Sequence, residues 1–561
     1  MKRIYKDQSW LPQPPDNFKD QVLGSSSASD IFRLSQYSLN EGQLIRILKK
    51  FQAIDSDQKK KNNFAKINLG FISNATTTLL SPLLSGTALS FKINLKIHET
   101  DFNQVAQAAF TNIDIFDGQR IDAILVALDF RGLPYKSYIG EEQAAENNLL
   151  ECYEYIKKIV LSLHDKYSTK IILQNIAMTD EHLYGSYENK LVGSLPWLIT
   201  KLNSKLFELD KEFLHIVDIA TLASKLGLEN WHDPKLWNIG KIPFAQEFAP
   251  IYSNYICRIL AAIKGKSRRC LILDLDHTLW GGVIGDDGLE GIKLGNGDPT
   301  GEAYVHFQKL ILKLRDRGVV LAVCSKNEDK VARLPFKKHP EMVIKESDIA
   351  VFQANWSDKA SNIKAISEYL NLGLDSMVFV DDNPAERMQV RKELPEVAVP
   401  ELPGDQALYG KTLLAAGYFE AVMFSDEDRK RADYYQGNAE RAAIMSNSSD
   451  MASYLKSLEM EINFKPFDVI GRPRITQLIN KSNQFNLTTK RYDENQVKSM
   501  ESDTGLYTLQ VRLKDIFGDN GMISVIICKI SETNWEIDTW LMSCRVLGRS
   551  VEISVLQDSP H

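Results

Sequence analysis

Asp274 and Asp276 stand two residues apart in RCLILDLDHTLWGG, directly after the apolar run Cys270 to Leu273. On an extended backbone that spacing turns both carboxylates to one face. Like charges at one strand end repel unless a cation or a proton relieves them. The pair therefore asks for a metal or for a split between acid and base. A solvated turn could carry DxDxT by chance, but the same event recurs downstream. Val319 to Val323 is a second apolar run and ends in Cys324-Ser325-Lys326-Asn327. Ser376 to Val380 is a third and ends in Asp381-Asp382-Asn383-Pro384. Between them Lys359 opens a helical pattern, KASNIKAISEYL, with apolar residues at Ile363, Ile366, Tyr369 and Leu370.

Short apolar runs of this kind suit strands buried on both faces of a parallel sheet. In an open α/β sheet ligands bind at the carboxyl ends of the strands, and three strands here deliver polar groups to that edge. Gly281 and Gly282 break the first element. The following stretch, GVIGDDGLEGIKLGNGDPTGEA, is glycine-rich and polar and is expected to form a small flap over the site.

DLDHTLWGG, the serine after the second strand, the lysine before a helix and VFVDD together resemble the four motifs of the haloacid dehalogenase (HAD) superfamily of phosphotransferases. LWGGVIGDDGLEGIKLG, NWSDKASNI and VFVDDNPAER resemble its FkbH-like group (subfamily IIIC-like). One departure is His277, where the family usually has Asn; a tuning effect is expected. The resemblance implies Asp274 as nucleophile forming an aspartyl-phosphate, and Asp276 as the acid that protonates the leaving oxygen and later activates water. Ser325 and Lys359 would hold the phosphoryl oxygens, with Thr278 and Asn327 beside them, although Ser325 reads equally well as a turn serine. Mg²⁺ would be bound by Asp274, Asp381 and Asp382, and by the backbone carbonyl of Asp276.

With 561 residues, 44% apolar and 25% charged, the chain reads as a soluble globular protein of three domains. A net charge of −6 leaves no basic footprint for nucleic acid. Lys59 to Lys61 reads as a solvated loop. No apolar segment approaches a membrane span, and MKRIYKDQSWLPQPPDNF has no apolar core of a signal peptide, so a cytoplasmic location is expected. Cys152, Cys257, Cys270, Cys324, Cys528 and Cys544 form no CxxC pair, which argues against zinc and against a disulfide framework.

Residues 1–265 read as a flavodoxin-like α/β domain. Lys66 to Ser73, Ile121 to Leu128, Lys170 to Ile176 and Leu214 to Val217 are short apolar runs separated by helix-length polar stretches. This part resembles a diverged SGNH esterase fold, with Ser73, Asn175 and His232-Asp233 falling near that family's site positions. The nucleophile block reads ISNAT rather than GDS and there is no DxxH spacing, so the domain is read mainly as a scaffold or docking unit. The block WHDPKLWNIGKIPF reads equally as aromatic packing. AAIKGKSRR, Ala261 to Arg269, fits a linker.

Residues 266–410 form the HAD-like Rossmannoid sheet of this reading. Beyond it, FSDEDRKRADYYQGNAERAAI is a charged helix with Ser425 as N-cap, and the alternations Thr508 to Leu513 and Ile523 to Ile530 are adjacent strands joined at DIFGDNG. CRVLGRS has the R-x-x-G-x-S spacing of a pyrophosphate loop, and with SNQFNLTTKRY it resembles a GNAT-like α+β acyltransferase domain over 411–561. The family pattern runs on past His561, so this copy is expected to be incomplete or shortened. Arg545 and Gly548 would hold a phosphate or pantetheine arm. Cys544 would carry a transient thioester, activated by Arg545 and Arg549, or else is a buried strand cysteine.

The resemblance implies an enzyme that takes a glyceryl unit from 1,3-bisphosphoglycerate, releases phosphate and loads glyceryl onto an acyl carrier protein. Its partners would be the carrier's phosphopantetheine arm and a phosphorylated three-carbon acyl donor, as in polyketide biosynthesis. Two alternatives stay open: an HAD phosphatase serving polysaccharide or other secondary biosynthesis, and a non-catalytic interaction protein.

Overall fold

The computed structural model describes residues 3–558 apart from 425, 430, 432–433, 435–436, 438–440, 442–449, 482–485, 487, 489, 532–533, 544–545 and 547–548. The chain divides into two compact units, Met1–Ile263 with Ala415–Val422, and Lys264–Leu414 with Met423–His561. Three domains were the expectation from sequence.

In the first unit β1 (Ala65–Ser73), β2 (Ile93–Glu99), β3 (Ala123–Ala127), β4 (Lys170–Gln174) and β5 (Leu214–Val217) form one sheet in the order β2-β1-β3-β4-β5. Every pairing is parallel, which is the flavodoxin-like order. Alternation sends Ile67, Leu69 and Phe71 to one face, where they meet α1 (Glu41–Gln52), α2 (Ser81–Ala88) and α4 (Ala249–Ile263). Ile124 and Val126 face the other way, onto α3 (Glu142–Tyr167) through Cys152, Ile156 and Val160. Each such fully buried aliphatic side chain stabilises by about 1.5–3 kcal/mol, so a sheet covered on both faces holds itself together without cross-links. The segment 415–422 closes this unit. Ala415 and Ala416 enter its core, and buried Arg258 donates from Nη2 to the Ala415 carbonyl at 2.5 Å and from Nε to Asn254 Oδ1 at 2.7 Å.

The second unit holds two sheets. The first is β6 (Cys270–Leu273), β7 (Val320–Ser325), β8 (Val351–Ala354) and β9 (Met377–Val380), all parallel, in the order β8-β7-β6-β9. Around it lie α5 (Ile284–Gly291), α6 (Pro299–Asp316), α7 (Lys359–Leu370) and α8 (Pro384–Glu393). The second sheet is an antiparallel meander of β10 (Glu461–Lys465), β11 (Leu506–Asp515), β12 (Gly518–Ile530) and β13 (Trp535–Met542). Ile475, Leu478 and Ile479 of α9 (Arg472–Lys481) cover one of its faces, and Val551 and Val555 of α10 (Val551–Asp558) the other, which makes this part α+β. The hairpin turn falls at DIFGDNG as expected. Cys544, Arg545, Gly548 and Ser425 lie outside the described residues. Arg549 is buried and donates to Asp515 Oδ2 at 3.0 Å.

The described cysteines are free and buried. Among the described residues no helix is long and apolar enough to cross a membrane.

Candidate active site

The register of the parallel sheet sets the site. Leu273 pairs with Val323 on one side and Val380 on the other, so Asp274 and Asp381 leave the sheet at one level, while β7 runs on beside β8 through Cys324 to Ser325. The Asp274 N–H donates to the Val380 carbonyl at 2.9 Å, which carries the ladder one residue beyond the last strand pair. On α7 the Asp358 side chain caps the helix by accepting from Ser361 N at 2.8 Å, and Lys359 therefore starts the helix facing this edge.

Lys359 Nζ lies 2.7 Å from Asp274 Oδ1 and 2.7 Å from Asp381 Oδ2, and all three side chains are buried. One oxygen from each of Asp274, Asp381 and Asp382 lies within 4.8 Å of the others. Burial pushes Asp274 up to about 6, and Asp381 adds to it against the pull of Lys359. Asp381 and Asp382 are raised as well, first by burial. Burial alone would lower the Lys359 ammonium, but Asp274 and Asp381 outweigh it and hold the group charged above the usual lysine range. Three carboxylates, two buried and one half-buried, with a single ammonium are short of positive charge, and hard oxygen donors so close together fit a divalent cation.

Asp276 stands apart from that cluster. Its Oδ1 accepts from Trp280 Nε1 at 2.9 Å and from Ile284 N at 3.0 Å, and its Oδ2 accepts from Asn327 Nδ2 at 2.8 Å. The side chain is thus not among the clustered metal-binding oxygens. The flap expected after Gly282 is α5, broken at Gly288 (φ 67°), and its first N–H is what orients the acid. Ser325 is buried at the end of β7, and Asn327 also donates to its Oγ at 3.2 Å.

Thr278, expected among the phosphate-binding groups, is fully buried, and its hydroxyl accepts from Asp382 N at 3.2 Å, which holds the acidic loop in place. Arg387 on α8, not singled out in the sequence, does the same work. Its Nη1 donates to the Asp381 carbonyl at 2.8 Å and the Asp382 carbonyl at 2.6 Å, while Nη2 binds Glu401 at 2.7 Å. An Arg five residues beyond a strand-end acidic pair was the available signal. His277 has a left-handed backbone (φ 53°), which Asn and His tolerate better than most residues. Its carbonyl accepts from Tyr304 Oη at 3.1 Å and Tyr409 Oη at 3.4 Å.

The first unit assembles no hydrolytic triad from its own candidates. Ser73 Oγ donates to the Ala127 carbonyl at 2.8 Å and accepts from Ala75 N at 3.0 Å. Asn175 is tied to Asp218 Oδ1 at 2.8 Å and to Ala220 N at 2.9 Å. His232 Nε2 meets the Met178 carbonyl at 2.8 Å, and its buried Nδ1 has no hydrogen-bond partner, hence no orienting carboxylate. Asp233 caps the next helix through Lys235 N and Leu236 N.

Comparison with known proteins agrees with this geometry. The family model "FkbH, N-terminal domain" matches residues 68–261. No curated protein matches the chain. The crystal structure of the N-terminal part of the protein BF1531 from Bacteroides fragilis, which contains a phosphatase domain and is complexed with Mg, is similar at 33% identity and a TM-score of 0.63. The match covers 69% of this chain and 100% of that one. The present chain belongs to the FkbH-like family, whose members carry a HAD-type phosphatase domain.

Proposed function

We propose that the second unit is a Mg²⁺-dependent phosphatase working through Asp274, and that it serves to load a glyceryl unit from a phosphoglyceryl donor such as 1,3-bisphosphoglycerate onto an acyl carrier protein. The observation that carries the phosphatase part is Lys359 held between Asp274 and Asp381 with Asp382 beside them. Mg²⁺ would be held by Asp274, Asp381 and Asp382, and when bound it supplies positive charge against the phosphoryl group.

Lys359 bonds to Asp274 through Oδ1, which leaves the other carboxylate oxygen to attack phosphorus in line. The Lys359 ammonium offsets charge that builds on the phosphoryl oxygens, and Ser325 Oγ donates to one of them. The new Asp274–phosphorus bond forms as the bond to the leaving oxygen breaks. Asp276 delivers the proton to that oxygen. Its Oδ1 already accepts two N–H groups, so the proton is carried on Oδ2, next to Asn327. Asp276, then ionised, takes a proton from the water that hydrolyses the aspartyl-phosphate.

Transfer to a carrier rests on the FkbH-like resemblance, on the α+β part following the phosphatase sheet, and on Cys544 as the thiolate: its sulfur would attack the acyl-phosphate carbonyl, expelling that phosphate as the thioester forms, and the carrier thiol would then displace Cys544, while Asp274 acts on the ester phosphate. The protein should be incubated with Mg²⁺, 1,3-bisphosphoglycerate and a holo acyl carrier protein, with the carrier followed by mass. A glyceryl-carrier adduct that disappears in Asp274→Asn supports the whole reading. Phosphate release with no adduct would leave the phosphatase and remove the transfer.

A further inference from the structure

The residue after Ser325, at the end of β7, carries a positive charge that nothing in the chemistry above uses. Lys326 Nζ lies 2.5 Å from Glu386 Oε1, with the two side chains 37% and 15% exposed. Lys326 leaves the end of β7, and Glu386 sits in the first turn of α8, after β9. In the sheet order β8-β7-β6-β9 these two strands flank β6, whose end carries Asp274. Neighbouring strands are about 4.8 Å apart, so the ion pair spans roughly 10 Å across the end of the nucleophile's strand. Lys359, by contrast, is buried and already committed to Asp274 and Asp381.

The strap is easily opened. It is a single-point contact, because Glu386 Oε2 is buried without a hydrogen-bond partner. A partly exposed pair of this kind contributes little to stability. We infer that Lys326 is a specificity-determining residue that exchanges Glu386 for a second anionic group on the substrate, beyond the phosphoryl group being transferred, and that Glu386 is the positioning residue that holds it over the site until then. The favoured substrate class is therefore a phosphate ester or anhydride whose remaining part bears a carboxylate or another phosphate. This rests on the phosphatase reading of Asp274.

The full-length protein with Mg²⁺ is assayed on phosphoglycolate and ethyl phosphate, and kcat/KM is expressed as the ratio of the first to the second. A charge-assisted hydrogen bond at a partly exposed site corresponds to about tenfold, so Lys326→Met is expected to lower the ratio about tenfold and Lys326→Arg to restore most of it. Glu386→Gln removes the competing charge and is expected to raise the ratio. A merely structural bridge would move both variants the same way. A ratio unchanged in Lys326→Met, or shifted in the same direction by both substitutions, overturns the inference and leaves the phosphatase standing. Failure of the unaltered protein to release phosphate from either ester or from acetyl phosphate overturns both.

Discussion

Asp274 holds its proton more tightly than an ordinary aspartate, and that has consequences at two pH values. A carboxylate raised to about 6 by burial binds more protons in the folded chain than in the unfolded one between about pH 4 and pH 6. The Mg²⁺-free protein is therefore expected to lose stability as pH rises through that window, the reverse of an aspartate whose pKa an ion pair depresses. Denaturant titrations at several pH values in EDTA check this. With all four groups ionised, Asp274, Asp381 and Asp382 against Lys359 carry a net charge of −2. Mg²⁺ should consequently raise the melting temperature clearly at pH 7.5 and little at pH 5, where protons compete for the same oxygens. Asp274→Asn removes the nucleophile and is expected to lower phosphate release by at least about a thousandfold, with the fold intact by circular dichroism.

At the level of elements, the bend after β6 depends on one backbone conformation. His277→Asn keeps a residue that tolerates φ 53°, whereas His277→Val puts a β-branched side chain there at a cost of about 1–2 kcal/mol. Urea unfolding should separate the two, and only the valine variant should also lose activity, because relief of the strained backbone would shift the residue 277 carbonyl away from Tyr304 and Tyr409. The strands β6, β7 and β9 could be read from sequence since both their faces are buried, so apolar runs stop abruptly where Asp274, Ser325 and Asp381 begin. The strands β2 and β8 could not. INLKIHE alternates with exposed Lys96, and VFQA is four residues long with Gln353 half-buried, so neither offers an unbroken apolar run. The hydroxyl of Thr278 was equally hard to place because its partner is a backbone N–H in a loop distant in sequence, and the guanidinium of Arg387 because it binds backbone carbonyls, which no side-chain pattern marks.

At the scale of the whole molecule, the first unit is expected to hydrolyse no ester by way of Ser73. Ser73→Ala should leave any background turnover of p-nitrophenyl acetate unchanged, since its hydroxyl is engaged with backbone and His232 lacks a carboxylate partner. A chain ended at residue 410 loses Ala415 and Ala416 from the first core and the acceptor of Arg258, and should melt lower by about 5 °C or more than one ended at 422, as calorimetry would show. The return of 415–422 to that core also bears on how the protein is made. Synthesis runs from the amino terminus, so the ribosome must finish all of β6 to β9 before the Ala415 carbonyl exists for the Arg258 guanidinium to meet. The unit that emerges first is thus the one whose last fastening arrives late, and a nascent chain stalled before residue 415 leaves it unlocked to proteases and chaperones.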